Sequence, residues 1–189
     1  MKTRTCFSLL AATGLLVLTG CKSTPQMTNR PDFLSTYTHL QKVDATTWRY
    51  ISQPLLANCG QFTIDPVKVM IPEFQGKPLT DDQRQRSGDF VRQTMINALA
   101  GHYPVVAEPG PGVGEIRIAV TEAYGTGGKL GLSVQGEILD NSKTQVGAVV
   151  RTELSQYYTP DWQDKAAARE MVEEWAQRLL KAIDQAHGK

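Results

Sequence analysis

Leu130-Gly131-Leu132-Ser133-Val134-Gln135-Gly136-Glu137-Ile138-Leu139, then Asp140-Asn141-Ser142-Lys143-Thr144, then Val146-Gly147-Ala148-Val149-Val150-Arg151-Thr152-Glu153-Leu154 is the stretch that decides the fold. Two runs rich in apolar and β-branched residues flank a polar turn segment, which predicts a hairpin. Just upstream, Ile116, Ile118 and Val120 alternate with Arg117, Ala119 and Thr121, the pattern of a half-buried strand. The break between them is Gly125-Thr126-Gly127-Gly128. Successive strands joined by short breaks imply a mainly antiparallel sheet.

Working outward, helices flank this core. Thr80-Asp81-Asp82-Gln83 fits a capping box with Thr80 as N-cap. Phe90, Val91, Thr94, Met95, Ala98 and Leu99 recur at helical spacing, and Gly101 supplies a C-terminal stop, so a helix is expected within Lys77 to Gly101. Thr159-Pro160 opens a second helix reaching about Ala186, with Ala168, Met171, Val172, Trp175, Ala176, Leu179, Leu180 and Ile183 as its apolar stripe. Gln61 to Pro72 alternates at Phe62 and Ile64, then slips phase at Asp65-Pro66, and reads as one strand with a bulge. Tyr103 to Val106 reads as a short extended piece. Phe33 to Leu40 reads as an arm packed on the domain, extended irregularly by Trp48, Tyr50, Ile51 and Leu55-Leu56. The expected fold class is α+β: a mainly antiparallel sheet of about four strands with two helices packed on it. The expected order is strand, helix, strand, strand, strand, helix.

Composition narrows the function classes. The chain has 189 residues, Lys+Arg 20, Asp+Glu 19, and only 3 Cys and 3 His. Balanced charge without a basic cluster argues against a nucleic-acid partner. So few Cys and His argue against a disulfide framework and a histidine metal site. No cofactor is implied. A polytopic membrane protein is excluded because only the N-terminal run is long and apolar.

That run reads as a signal peptide. Lys2 and Arg4 precede an apolar core from Cys6 to Leu18, which is short for a membrane span. It ends in Leu18-Thr19-Gly20-Cys21, which resembles the bacterial lipobox. The resemblance implies cleavage before Cys21 and lipidation of that residue, so the chain would hold the membrane through acyl chains on Cys21. Lys22 is not the Asp that the lipoprotein pattern associates with inner-membrane retention, so the outer membrane, facing the periplasm, is implied. The expected organisation is a signal peptide over 1–20, a lipidated Cys and flexible tether over 21–32, and one α+β domain over 33–189. Removal of Lys2 and Arg4 moves the formal charge from +1 to −1 and leaves Cys59 as the single free thiol.

Motifs with a chemical alternative read as structure. Gly110-x-Gly112-x-Gly114 lacks the spacing and the following helix of a dinucleotide fingerprint, and reads as a turn. Gly125 to Lys129 lacks the flanking residues of a phosphate loop. Cys59 would need a nearby base, with His39 and His102 as candidates, to act as a nucleophile. Asp81-Asp82 sit where a helix first turn favours anions, and Glu173-Glu174 lie off the apolar stripe. No catalytic and no metal-binding residue is assigned.

The assembled segments resemble the bacterial lipoprotein family catalogued as domain of unknown function 3313. They are Phe33-Leu34-Ser35-x-Tyr37-x-x-Leu40, Arg49-Tyr50, Ile64-Asp65-Pro66-Val67, Gly110-Pro111-Gly112-Val113, Ile116 to Thr121, Glu137-Ile138-Leu139-Asp140, Trp162 and Trp175-Ala176. The resemblance brings no activity and no catalytic residue. More distantly, the order of elements and the Leu139-Asp140-x-x-x-Thr144 hairpin look like a wider group of outer-membrane lipoproteins. That group includes the curli-export lipoprotein, exopolysaccharide-export lipoproteins and activators of cell-wall synthases, whose domain binds partners or self-assembles.

The expected function is a lipid-anchored, non-enzymatic binding module of the cell envelope, with an envelope protein or cell-wall component as partner. One alternative is a self-assembling outer-membrane export component. Its pore would need alternating hairpins of about 9–11 residues per strand, and Glu137, Asp140, Arg151 and Glu153 suit Leu130 to Leu154 poorly to that role. The other alternative is an envelope hydrolase using Cys59 or a carboxylate.

Overall fold

The structure, a computed structural model, describes residues 32–74, 76–126, 129–154 and 166–189. The signal, lipobox and tether, the Thr159-Pro160 helix start and Trp162 lie outside the described residues. The elements in chain order are β1 (Gln41–Lys42), β2 (Thr47–Ile51), α1 (Gln53–Leu56), β3 (Gln61–Ile64), β4 (Lys68–Val69), β5 (Glu73–Phe74) and β6 (Lys77–Pro78). They continue with α2 (Asp81–Leu99), β7 (Val113–Thr126), β8 (Lys129–Leu139), β9 (Gln145–Leu154) and α3 (Ala166–Ala186).

The alternating runs at the centre form a meander. β7 pairs antiparallel with β8, and β8 with β9, placing Ile116 opposite Ile138 and Val134 opposite Arg151. The turn between β8 and β9 closes on Asp140, whose carboxylate accepts from the Ser142 and Thr144 main-chain N–H groups at 2.8 and 2.9 Å. This Asx-type turn leaves Lys143 with φ 61°.

The sheet is wider than the four strands expected. It is seven-stranded, ordered β1-β2-β9-β8-β7-β3, with β4 also on β7. The expected strand-helix-strand-strand-strand-helix order is corrected with the strand count, since two strands and a short helix precede β3 and three short strands follow it before α2. Two local readings change as well. Trp48, Tyr50 and Ile51 are not irregular: they belong to β2, which pairs antiparallel with β9 from Thr47↔Arg151 to Ile51↔Gly147. The 61–72 segment is two short strands, both parallel to β7, with Pro66 between them. Ile64 faces Ile116 and Lys68 faces Ala119, so four steps on one strand match three on the other. The phase slip is therefore real, and Pro66, which has no N–H to donate, occupies the break at a sheet edge. The sheet is mixed but mostly antiparallel, and a third helix, α1, is added to the two expected.

Helix α2 starts at the expected Thr80 cap, with both halves of the capping box formed. It begins later than Lys77 because Lys77–Pro78 pairs with Glu73–Phe74 in a small hairpin. Val91, Met95 and Leu99 are buried on the expected stripe, and Gly101 adopts φ +88° just past the end. At Gly88 a Cβ would lie 2.7 Å from the Val67 carbonyl oxygen, so only glycine lets α2 sit this close to the sheet edge. Arg92 donates to the Ile64 carbonyl at 2.9 Å, and Arg84 to those of Ile71 and Leu79, which satisfies main-chain groups at the parallel edge. Helix α3 packs against α2, and Ala168, Met171, Val172, Trp175, Ala176, Leu180 and Ile183 are buried as expected. Together the helices cover one sheet face with the main core, which includes Phe62, Ile116, Leu132, Val134 and Ile138.

The opposite face is polar at its centre. Ser133, Gln135 and Glu137 alternate with the core residues of β8 and are buried all the same. The arm before β1 covers this face. Leu34 and Leu40 pack on Ala148 and Val150, while Ser35 donates its N–H and its hydroxyl to Glu137 Oε2 at 2.9 and 2.8 Å. Gln145 donates to the same oxygen at 2.8 Å, and Arg117 to Oε1 at 2.7 Å. Tyr37 donates to Gln135 at 2.6 Å. The Glu137 side chain is 0% exposed, and the donors from Ser35, Gln145 and Arg117 compensate its desolvation. Both faces of β8 are thus buried within the chain.

Truncation of Glu137 should leave several buried donors unpaired. Glu137→Ala is expected to lower unfolding stability by about 3 kcal/mol and to detach the arm. Urea denaturation, with proteolysis at residues 33–40 as the local readout, checks this, and a loss under about 0.5 kcal/mol with an intact arm would contradict it.

Asp65 provides a pH test. Burial pushes its carboxyl above the usual value of 3.8 and Glu115 adds to this, against Arg117, Lys143 and Arg92. A carboxyl raised on folding supports the fold while protonated and loses that support as pH rises through its raised value. Asp65→Asn should therefore raise the melting temperature at neutral pH, and the gain should shrink as pH falls towards 3.8. An equal gain at both ends of a pH series would contradict the assignment.

Candidate functional site

Beside α3 the helical layer ends before the sheet does. The strand order places β9 and β2 beyond β8, and the space over them is a groove of about 430 Å³. One wall is α3, through Trp175, Arg178, Leu179, Ala182 and Gln185, at spacings that share a helix face. The other wall is β2, through Thr47, Arg49 and Ile51, whose side chains point to the helix side by strand alternation. The floor is Val134, Gly136, Ile138, Gly147 and Val149 of the central hairpin.

The two ends differ. At one, Arg151 donates to Glu153 and to Thr47 Oγ1 (2.8 Å) and lies 4.0 Å from Asp44. Trp175 Nε1 also donates to Glu153, and Arg178 approaches Glu153 at 3.7 Å while pairing with Glu174. The hydrogen bond from the main-chain N–H of Thr46 leads in holding the Asp44 carboxyl below its usual value. At the other end the lining is Ile51, Gly147 and Leu56 of α1, with Gln185 of α3. Between the ends, Arg49 and Lys181 border the groove and form no ion pair among the described residues. A second, more open cleft between α2 and α3 is lined mainly by polar side chains, including Gln93, Asn97, Arg169 and Glu173, and offers little apolar surface.

The residues considered for chemistry are dispersed. Cys59 is 2% exposed, its thiol donates to the Leu55 carbonyl at 3.9 Å, and burial, with the Asp140 charge, pushes it up and away from the reactive thiolate. His39 is exposed and packs its ring against Tyr50; His102 is exposed past the end of α2. The histidine that reaches Cys59 is His187, which sequence reasoning left out. Its Nε2 lies 3.1 Å from the Cys59 main-chain oxygen, not from the sulfur. Nearby, Tyr103 donates to Asp184 at 2.9 Å, and burial raises its hydroxyl to about 12. These contacts fasten the end of α3 to the turn before β3, through Cys59, and to the segment after α2, through Tyr103. Asp81 and Asp82 are exposed in the first turn of α2, paired with Arg84 and Arg86. Glu173 and Glu174 are exposed on α3, and Gly112, at φ +72°, turns the chain into β7. Among the described residues no group of three His, Cys, Asp or Glu is placed to hold a metal. Cys21 and the lipobox Leu18, Thr19 and Gly20 lie outside the described residues.

Residues 30–130 match the model of the family described as "Protein of unknown function (DUF3313)". The chain belongs to this family. The DUF3313 match spans the arm, the β2 wall of the groove, α2 and all of β7, and it ends before β9 and α3. Among solved structures, a point variant of the PelC dodecamer from Paraburkholderia phytofirmans has TM-score 0.45 and 15% identity, covering 73% of this chain and 95% of that one. Another PelC dodecamer structure from the same organism has TM-score 0.44 and 14% identity, covering 73% and 96%. A structure described as an uncharacterized protein has TM-score 0.40 and 14% identity, covering 67% and 92%. No curated protein matches the chain in sequence.

The placement of Cys59 predicts its reactivity. In the folded mature chain it should resist alkylation by iodoacetamide at neutral pH, and it should react fully in denaturant. Mass spectrometry of the Cys59 peptide checks this. Rapid labelling of the folded chain would revive a nucleophilic role.

Proposed function

We propose that the protein is a lipid-anchored, non-enzymatic binding module of the bacterial cell envelope. It is held in the outer membrane by acyl chains on Cys21 and faces the periplasm. Residues 1–20 serve as the signal, 21–32 as the tether and 33–189 as a single α+β domain that binds a protein or other component of the envelope. The observation that carries the binding role is the groove between α3 and β2, with its apolar floor and, at its border, Arg49 and Lys181, which form no ion pair among the described residues. Pre-formed, mostly apolar concavities with a few placed polar groups are the usual form of a binding site. The observation behind the anchor is the sequence Leu18-Thr19-Gly20-Cys21 after a short apolar core. Lys22 in place of Asp supports the outer rather than the inner membrane.

The anchor is tested with the full chain in bacterial cells. The wild type should take up labelled fatty acid and fractionate with outer membranes, whereas Cys21→Ala should do neither. A wild-type chain that carries no acyl label would overturn the anchored reading. The binding role is tested by photocrosslinking from position 182 in intact cells, which should capture an envelope component.

A further inference from the structure

We infer that the groove beside α3 takes an acyl chain bearing an anionic headgroup. The inference rests on the proposed binding role of that groove and names the chemistry of what fills it. Gly136 and Gly147 lie diagonally in the floor, on neighbouring strands: Gly136 is opposite Val149 and Gly147 opposite Ile138. Glycine weakens a strand interior and there commonly marks a bulge or the close approach of a ligand. Neither residue has a left-handed backbone. A Cβ at Gly136 would come no closer than 3.6 Å to any neighbour, and one at Gly147 no closer than 3.7 Å. Sterics therefore do not require glycine at either position; what its absence of a side chain provides is depth in the groove.

The lining then selects among occupants. A peptide carries a main-chain donor and acceptor at every residue, and burial demands partners for them. Here polar partners gather at the Arg151 end, while the Ile51 and Gly147 end offers mostly carbon, with the exposed Gln185 as its polar side chain. A hydrocarbon chain needs no partners there. Arg49 and Lys181, on opposite walls and without counter-ions among the described residues, complement one negative group at the border. A free fatty acid and an anionic phospholipid share this chemistry.

The test feeds a photoreactive, alkyne-bearing fatty acid to cells producing the full chain, irradiates them, and maps adducts by mass spectrometry. Labelling of total phospholipid in the same cells shows that the probe has entered. The expected result is an adduct on the peptides of α3 and β9 that line the groove, with the adduct mass distinguishing free acid from phospholipid. Gly136→Val should cut this adduct about tenfold or more without lowering the melting temperature, since its methyl groups occupy the floor. Ala182→Phe fills the same space from the helix side and serves if the strand variant folds poorly. Arg49→Glu with Lys181→Glu should also reduce it about tenfold. Absence of groove adducts, or adducts that survive all of these substitutions, would overturn the inference. A label on the Cys21 peptide alone would do the same while upholding the anchor, so the two readings fail separately.

Discussion

The arrangement follows from a mismatch of widths between the two layers. Strands sit ~4.8 Å apart and packed helices ~10 Å, so two helices cover roughly four strands. The main path of this sheet holds six, from β1 to β3. Gly88 brings α2 close over the parallel edge, and α3 follows beside it, which leaves β9 and β2 uncovered on that face. The groove is the remainder, and α1, too short to fill it, contributes only Leu56. The placement of glycine in the floor and of arginine and lysine at the border then shapes what the mismatch creates.

On the other face the constraint is solved differently. A carboxylate at Glu137 and an amide at Gln135 would be costly in a buried layer without partners. The arm supplies them from about a hundred residues away in sequence, through Ser35 and Tyr37. Two of the segments that carry the family resemblance, Phe33 to Leu40 and Glu137 to Asp140, are therefore two halves of one bonded unit. Of the polar residues that suited this hairpin poorly to a lipid surface, Glu137 is internal, whereas Asp140, Arg151 and Glu153 are only partly buried.

Much of the fold was legible from local signals. The alternation over 116–121, the hairpin, the Thr80 cap and the α3 stripe each report on nearest neighbours in sequence, and each reappears with small changes at the boundaries. β2 was not legible, because in Thr47-Trp48-Arg49-Tyr50-Ile51 the aromatic residues face the arm side and the helix side carries Thr and Arg, which inverts the usual reading of alternation. The slip at Pro66 was legible, while the parallel pairing behind it depends on a partner fifty residues on. The groove was hidden for a different reason. Its floor is made by missing side chains at Gly136 and Gly147, and its width by how layers assemble; neither leaves a periodic signal. Trp175 was visible as a residue of the stripe, but not its bond to Glu153.

The bonded arm also determines how the chain bears mechanical load. Any force arriving from residues before 32 reaches the Ser35–Glu137 contact before it reaches β1, the shortest and outermost strand of that edge. Tension is thus delivered across the middle of the sheet, into β8, which is held by neighbours on both sides. An edge strand pulled from its end opens one hydrogen bond at a time, like a zipper. Here the pull is shared between two bonds from Ser35 to one carboxylate, with the Tyr37–Gln135 bond behind them, and the β2 wall of the groove stays off the load path.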